Sequence, residues 1–255
     1  MSGQPALPRR AMAELVGTTA LVTVVVGSGI RAAGLSQDPG IALLANSLAS
    51  AIGLGLLIAL LSPVSGAHLN PVVTLCTWWS GERPDRAGGR EALTYITAQL
   101  AGAMAGAVLA DVMFGRPPGI WSTHTRSAWH LLLGETVATA GLVLLILGLR
   151  RTGRARFAPV GVAAYIAAAI WFTSSGSFAN PAATVGRSLS DSFTGIAPAS
   201  LPNFIAAQAV GGLLGAGLAV LLYGRHAKSA GSEQAARSAA GPKRPCRCET
   251  LDLAS

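Results

Sequence analysis

Two Asn-Pro pairs are the residues of this sequence most suited to chemistry inside an apolar chain. Asn70-Pro71 lies in SGAHLNPVVT and Asn180-Pro181 in SGSFANPAAT, where a hydrophobic helix should otherwise continue. Pro suits the first turn of a helix, because its missing N–H would have had no partner there, and the preceding Asn can cap that helix. The pairs therefore predict two short helices that begin inside a membrane.

These two half-helices, at 70–80 and 180–189, are expected to meet by their N-termini. Irregular backbone at mid-membrane depth is tolerated only where it is buried in protein or lines a watered cavity. The partial positive charges of the two helix ends oppose cations, and the Asn amides can donate hydrogen bonds to a solute. We therefore predict a pore that favours neutral, hydrogen-bonding solutes. Its predicted centre comprises Asn70, Pro71, Val72, Asn180, Pro181 and Ala182.

The composition places these pairs in a membrane protein. Of the 255 residues, 51% are hydrophobic and only 12% are charged, which excludes an ordinary soluble protein. A membrane-spanning helix needs about 20 apolar residues. Six segments meet this requirement, and the first is expected to be retained rather than cleaved as a signal peptide. They are 11–30, 41–61, 92–113, 129–149, 158–175 and 202–223.

The distribution of charge predicts the orientation in the membrane. If both termini lie on one side, that side carries fifteen Lys and Arg residues and the other side carries four. The positive-inside rule then makes both termini cytoplasmic. The net charge of +8 reflects this topology and contact with a lipid bilayer, so no nucleic-acid partner is expected. Three cysteines do not suggest a disulfide framework, and we expect no metal site because His124 has no cluster of further ligands around it.

The sequence also contains an internal repeat. Residues 13–22 resemble 134–143, residues 65–74 resemble 175–184, and residues 95–110 resemble 204–219. Each half contains three predicted spans, and an odd number inverts the second copy relative to the first. We predict an all-α membrane protein with an inverted 3+3 repeat. Its predicted parts are a cytoplasmic N-terminus (1–10), a first repeat (11–113), an exterior loop (114–128), a second repeat (129–223) and a disordered cytoplasmic tail (224–255).

The repeat pairs two acids, Glu14 with Glu135. Buried acids in membranes often relay protons, which would suit a proton-coupled secondary transporter. Their matched positions favour a structural role instead, in which each accepts hydrogen bonds from a re-entrant loop. Gln99 and Gln208 are also matched and predict contacts between helices. We expect a backbone contact to hold His68 rather than a role as a pH gate, and we expect no catalytic residue.

At these positions the chain resembles the major intrinsic protein family, the aquaporins and aquaglyceroporins. The resemblance covers roughly residues 10–224 and includes AELVGT, SGAHLNP, GET and FANPA. It implies six membrane helices and two half-helices per protomer, one pore in each, usually assembled as a tetramer. It also implies passive flux without a cofactor.

Two positions depart from the family pattern. Val72 stands where the family usually has Ala, and Ala183 stands where the family normally has an Arg that projects into the outer constriction. The family's usual spacing from the two Asn-Pro pairs places the remaining constriction positions. The expected outer constriction is Ser50, Ala168, Ser177 and Ala183. This set is small, uncharged and wide.

Arg187 follows Ala183 by one helical turn and could project towards the same constriction. We expect instead that it caps the half-helix or faces lipid headgroups.

A wide constriction resembles that of bacterial aquaglyceroporins linked to arsenic resistance, which implies an inner-membrane channel for arsenite, organoarsenicals, glycerol and water. The alternatives are a water and glycerol channel with no metalloid role, and the transporter. Cys246 and Cys248 could bind a soft metalloid, although we expect them to be incidental.

Overall fold

The computed structural model describes residues 5–80 and 89–224, and this part of the chain is helical without β-strands. Six helices are long and apolar enough to cross a membrane, and the two others are half-helices. The predicted all-α fold class is therefore confirmed. The helices are α1 (Leu7–Leu35), α2 (Pro39–Ser65), α3 (Pro71–Trp79), α4 (Gly89–Met113), α5 (Trp129–Arg151), α6 (Ala158–Phe172), α7 (Pro181–Arg187) and α8 (Leu201–Tyr223).

Some helices begin or end at other residues than the apolar segments predicted from the sequence. The differences occur where polar residues continue a helix or end it. Helix α1 runs through Arg31 to Leu35, because a charged residue near a membrane surface does not interrupt backbone hydrogen bonding. Helix α6 ends at Phe172, where Thr173 turns to extended backbone. Helix α7 ends at Arg187, two residues before the predicted end. Cys246, Cys248 and residues 225–255 of the predicted tail lie outside the described residues.

The side chains of the two Asn residues start the half-helices. Asn70 Oδ1 accepts a hydrogen bond from the backbone N–H of Val72 at 2.9 Å. Asn180 Oδ1 accepts from the N–H groups of Ala182 and Ala183, at 3.0 and 3.2 Å. Because Pro follows each Asn, the first helical residue has no N–H that needs a partner. Both short helices therefore begin with their donors satisfied.

Glycines set the closest helix contacts in both halves of the fold. A Cβ atom added to Gly102 or Gly106 of α4 would collide with backbone oxygens of α1. A Cβ atom on Gly211 or Gly215 of α8 would collide likewise with backbone oxygens of α5. Small residues are the usual means of bringing membrane helices this close. The same packing therefore occurs twice, as the repeat predicts.

Replacing Gly106 with Ala should loosen the α1–α4 contact, because the new methyl group would meet the carbonyl oxygen of Thr19. We expect a loss of about 1–3 kcal/mol in the free energy of unfolding. The midpoint of thermal unfolding in detergent measures this loss. Gly217→Ala on exposed helix α8 surface is the matched control, because a Cβ there meets no atom within 4 Å. Equal midpoints for the two variants would contradict the packing argument.

Candidate pore

The two loops that precede the half-helices have unusual backbone conformations. Ala67 and Leu69 in the first loop have φ angles of 47° and 49°, and Ser177 and Ala179 in the second have 49° and 47°. A left-handed conformation costs a residue other than glycine about 1–3 kcal/mol. In both loops, the two residues with positive φ angles are separated by one residue. Contacts with the surrounding helices must therefore hold them in place.

Glu14 supplies those contacts for the first loop. Its Oε1 accepts from Ser65 Oγ at 2.6 Å and from the N–H of His68 at 2.9 Å. Its Oε2 accepts from the N–H of Leu69 at 2.6 Å and from Gln99 Nε2 at 2.8 Å. The side chain is fully buried. A buried carboxylate with four donors around it fixes the loop that donates to it.

Glu135 does the same for the second loop. It accepts from the N–H groups of Phe178, at 3.2 Å, and of Ala179, and from Gln208 Nε2 at 2.8 Å. It is also fully buried and does not line the cavity described below. A proton relay through either acid would have to break the bonds that hold the loops. The arrangement favours a structural role for both acids.

The Asn side chains join the two loops across the centre of the molecule. Asn70 Nδ2 donates to the carbonyl of Ala179 at 2.7 Å, and Asn180 Nδ2 donates to the carbonyl of Leu69 at 2.7 Å. A carboxamide has two N–H donors, so each Asn keeps one beyond this reciprocal bond. Both residues line the same cavity. The free donors can therefore bind an oxygen of a solute inside it.

One cavity of about 550 Å³ passes between the half-helices and is lined by residues from both ends of the bundle. Apolar side chains of α2, α5 and α6 form one wall, and the polar loops form the other. One end, the Arg150 mouth, is lined by Arg150 and Ala155. The other end, the twin-arginine mouth, is lined by Arg126 and Arg187. No carboxylate belongs to the described lining.

His68 lines this cavity from the first loop. Its ring Nδ1 lies 3.2 Å from Thr74 Oγ1, and its ring packs edge-on against Tyr95 with centroids 5.4 Å apart. Together with the backbone bond to Glu14, these contacts fix both the main chain and the ring. His68 is therefore a polar residue of the cavity lining whose ring and main chain are both fixed by neighbouring contacts.

Three of the four predicted constriction residues line the cavity, namely Ser50, Ser177 and Ala183. All three are buried. Within the described residues, neither serine hydroxyl has a hydrogen-bond partner. Buried hydroxyls normally find a partner, so a passing solute is the natural one here.

The placement of Ala168 in the constriction is wrong. Ala168 is exposed on the outside of α6 and does not line the cavity, whereas Val162, Ile166 and Ile170 do. These three recur every four residues and therefore share one helix face. Ala168 is two residues from Ile170, about 200° around the helix. A fixed spacing from Asn180 carries no information on this helix phase, and Ile170 is the nearby α6 residue that faces the cavity.

Arg187 does lie in the last turn of α7, where a cation suits the helix dipole, but the alternative expectation that it faces lipid headgroups is wrong. The residue is only 9% exposed and lines the cavity. Its Nε donates to the carbonyl of Thr194 at 2.6 Å, and its Cζ lies 3.3 Å from the ring centroid of Phe178. The chain turns back after α7, and this brings Thr194 against the end of that helix. Arg187 thus provides a cation near the place that Ala183 leaves uncharged.

Sequence reasoning missed Arg126, which lines the same mouth. Its Nε donates to the carbonyl of Gly195 at 3.0 Å, and burial lowers the pKa of its guanidinium. Asp191 fastens the neighbouring part of the loop by accepting from the N–H of Thr123 at 2.9 Å. That bond lowers the pKa of the Asp191 carboxyl. Residues 114–128 have no periodicity that could have shown this.

Glu135→Gln should destabilise the protein, because an amide N–H₂ replaces one of the oxygens that face loop donors. An unsatisfied buried donor costs about 1–3 kcal/mol. We expect a lower midpoint of thermal unfolding and reduced solute flux in proteoliposomes. Asp38→Asn is the control, since Asp38 is an exposed helix cap and Asn caps equally well. An unchanged midpoint for Glu135→Gln would show that the carboxylate does not hold the loop.

Ile170→Trp should obstruct the cavity, whereas Ala168→Trp should not, because only Ile170 lines it. We expect glycerol flux in proteoliposomes to fall about tenfold for Ile170→Trp, a rise in barrier of about 1.4 kcal/mol. Ala168→Trp should stay within about twofold of the unmodified protein. A tenfold loss of flux for Ala168→Trp, with little change for Ile170→Trp, would show that Ala168 lines the constriction, as the family spacing predicted.

Three comparisons with known proteins agree with this geometry. The sequence model of the family "Major intrinsic protein" matches residues 2–173. "Aquaglyceroporin AqpS" of Rhizobium meliloti (strain 1021) is 45% identical over 205 residues, which are 80% of this chain and 86% of that protein. "Aquaporin AqpM" of Methanothermobacter marburgensis is 33% identical over 243 residues, which are 85% of this chain and 96% of that protein.

The solved structure of the aquaglyceroporin from Plasmodium falciparum has a TM-score of 0.60 with this chain at 23% sequence identity. The match covers 84% of this chain and 95% of that one, and it shows the fold. Together with the paired loops and the continuous cavity, the sequence matches establish the class of the protein. The chain belongs to the major intrinsic protein family and is a multi-pass membrane channel of the aquaporin and aquaglyceroporin type, not an enzyme.

Proposed function

We propose that this channel passes small neutral solutes with several hydroxyl groups, namely glycerol and arsenite in its trihydroxy form, together with organoarsenicals and water. The observation that carries the proposal is the small residue at Ala183, which lines the cavity where the family normally places an Arg. The additional width suits solutes larger than glycerol. The 45% identical relative is itself named an aquaglyceroporin.

The chemistry of the cavity walls suits such solutes. Free N–H donors of Asn70 and Asn180 and the unpaired hydroxyls of Ser50 and Ser177 can bond solute oxygens. The opposite wall, which includes Ile166 and Ile170, accepts the carbon side of a polyol. Arsenite is neutral and carries three hydroxyl groups, so it presents the same hydrogen-bonding surface as glycerol. A solute with an apolar side and a polar side matches both walls.

We further propose that both termini are cytoplasmic and that the protein is a homotetramer in a bacterial plasma membrane. The Arg150 mouth then opens to the cytoplasm, because α5 ends there in Arg150 and Arg151. The twin-arginine mouth opens to the exterior. A tetramer would cover part of the exposed apolar surface of α2, including Leu48, Ile52 and Leu56.

Ala183→Arg should narrow the cavity and select against larger solutes, because it places a long charged side chain among the lining residues. In proteoliposomes we expect glycerol and arsenite flux to fall about tenfold. Water flux should change much less. Ala183→Ser, which adds only a hydroxyl, is the matched control and should keep the selectivity of the unmodified channel.

The same assay decides between metalloid transport and a simpler channel. The solute panel is water, glycerol, urea, arsenite and methylated arsenicals. Passage of water alone would contradict the wide constriction, and passage of water and glycerol without arsenite would leave a channel with no metalloid role. Solute accumulation driven by an imposed pH gradient would instead indicate a proton-coupled transporter.

A further inference from the structure

Two guanidinium groups meet one aromatic ring at the twin-arginine mouth. The Cζ atom of Arg187 lies 3.3 Å from the ring centroid of Phe178, and that of Arg126 lies 5.2 Å from it. Phe178 is itself fixed by an edge-on contact with Phe204, with centroids 5.2 Å apart. Stacking on a ring stabilises a guanidinium and orients its plane. Both charges are therefore held in defined positions.

Each arginine is fastened through Nε, which leaves its terminal nitrogens available. Arg187 Nε donates to the carbonyl of Thr194, and Arg126 Nε donates to the carbonyl of Gly195. A guanidinium has five N–H donors, four of them on the terminal nitrogens. Within the described residues, no terminal nitrogen of either arginine has a hydrogen-bond partner. Both residues line the cavity, so these donors lie beside a space that a ligand can enter.

Within the described residues, no carboxylate forms a salt bridge with either arginine, and only that of Glu135 attracts them, at longer range. Asp111 lies 3.5 Å from Arg116, and Asp191 binds Thr123. The carboxylate of Glu135 is occupied by loop N–H groups and Gln208. Arg187 is 9% exposed, and a buried cation without a directly bound counter-charge is costly, the more so beside a second cation such as Arg126. An anion that entered the mouth would relieve this cost.

We propose that Arg126 and Arg187 together bind one small monovalent oxyanion at this mouth. The planar fork of N–H groups matches the spacing of two oxygens and gives oxyanions an advantage over halides. The described lining has no carboxylate to repel an anion. The site rests on the proposed channel only in that it belongs to the same cavity. The site would bind the anionic form of a weak oxyacid at the mouth. A pore without cationic side chains would not bind that form.

Methanesulfonate is a suitable probe, because it has three oxygens and stays a monoanion at every working pH. The purified full chain in detergent is titrated with sodium methanesulfonate or sodium chloride at constant ionic strength, and the midpoint of thermal unfolding is followed. Binding to the folded state raises the midpoint. We expect a saturable rise with methanesulfonate beyond that with chloride. Arg187→Gln should raise the half-saturating concentration about tenfold, as expected when a charge-assisted hydrogen bond is lost.

Arg31→Gln is the matched control. Arg31 is exposed on α1, two residues after Gly29, which packs against the side chain of Thr194. This variant removes the same charge from the same end of the molecule without touching the cavity. It should leave the half-saturating concentration unchanged. Arg126→Gln should weaken methanesulfonate binding as Arg187→Gln does. If Arg187→Gln fails to fold, Arg126→Gln replaces it in the experiment.

Glycerol flux in proteoliposomes gives a second measurement. Methanesulfonate should inhibit flux through the unmodified channel with the same half-saturating concentration. Absence of glycerol flux together with a methanesulfonate-dependent midpoint would refute the proposed function and keep the anion site. Equal midpoint shifts with methanesulfonate and chloride would overturn the anion site. So would equal half-saturating concentrations for the variants of Arg31, Arg126 and Arg187.

Discussion

The buried carboxylates of Glu14 and Glu135 hold two strained loops at the centre of the helix bundle, and the pore depends on that constraint. Each loop contains two residues other than glycine in left-handed conformation, which the isolated chain would avoid. Each carboxylate collects loop N–H groups and one Gln side chain where water cannot compete. Charged acceptors in a dry interior are strong enough to offset the cost of the backbone.

The loops in turn place the half-helices, and the two halves of the chain complete one another. Asn70 binds a carbonyl of the second loop, and Asn180 binds a carbonyl of the first. Neither half could form the centre of the pore alone, because each supplies a donor whose acceptor belongs to the other. The glycine contacts of α1 with α4 and of α5 with α8 bring the supporting acids close enough to reach the loops.

Charge along the cavity follows from the same arrangement. The half-helices begin at the centre, so their partial positive ends lie where the cavity passes between them. Cationic side chains line the two mouths and no carboxylate lies between them in the described lining. Ala183 leaves its part of the lining uncharged, and Arg187, four residues later, lines the same cavity. The small residue at Ala183 therefore sets the local width of the cavity, while a different residue, Arg187, contributes the positive potential at its mouth.

The sequence by itself determined the helical fold class and predicted the repeat and the centre of the pore, because each depends on local chemistry or on matched residues. Of the six residues predicted at that centre, Asn70 and Asn180 line the cavity. Asn can cap a helix whose first residue is Pro through local contacts alone, and the pairing of Glu14 with Glu135 is visible as a repeat. Only the tertiary structure decided which side chains face the cavity. Ile170 displaced Ala168 because helix phase depends on how α6 packs, and Arg187 turned inward because residues 188–195 fold back to present the carbonyl of Thr194. Such orientations follow from contacts between segments distant in sequence or joined by irregular loops, where spacing alone carries no directional information.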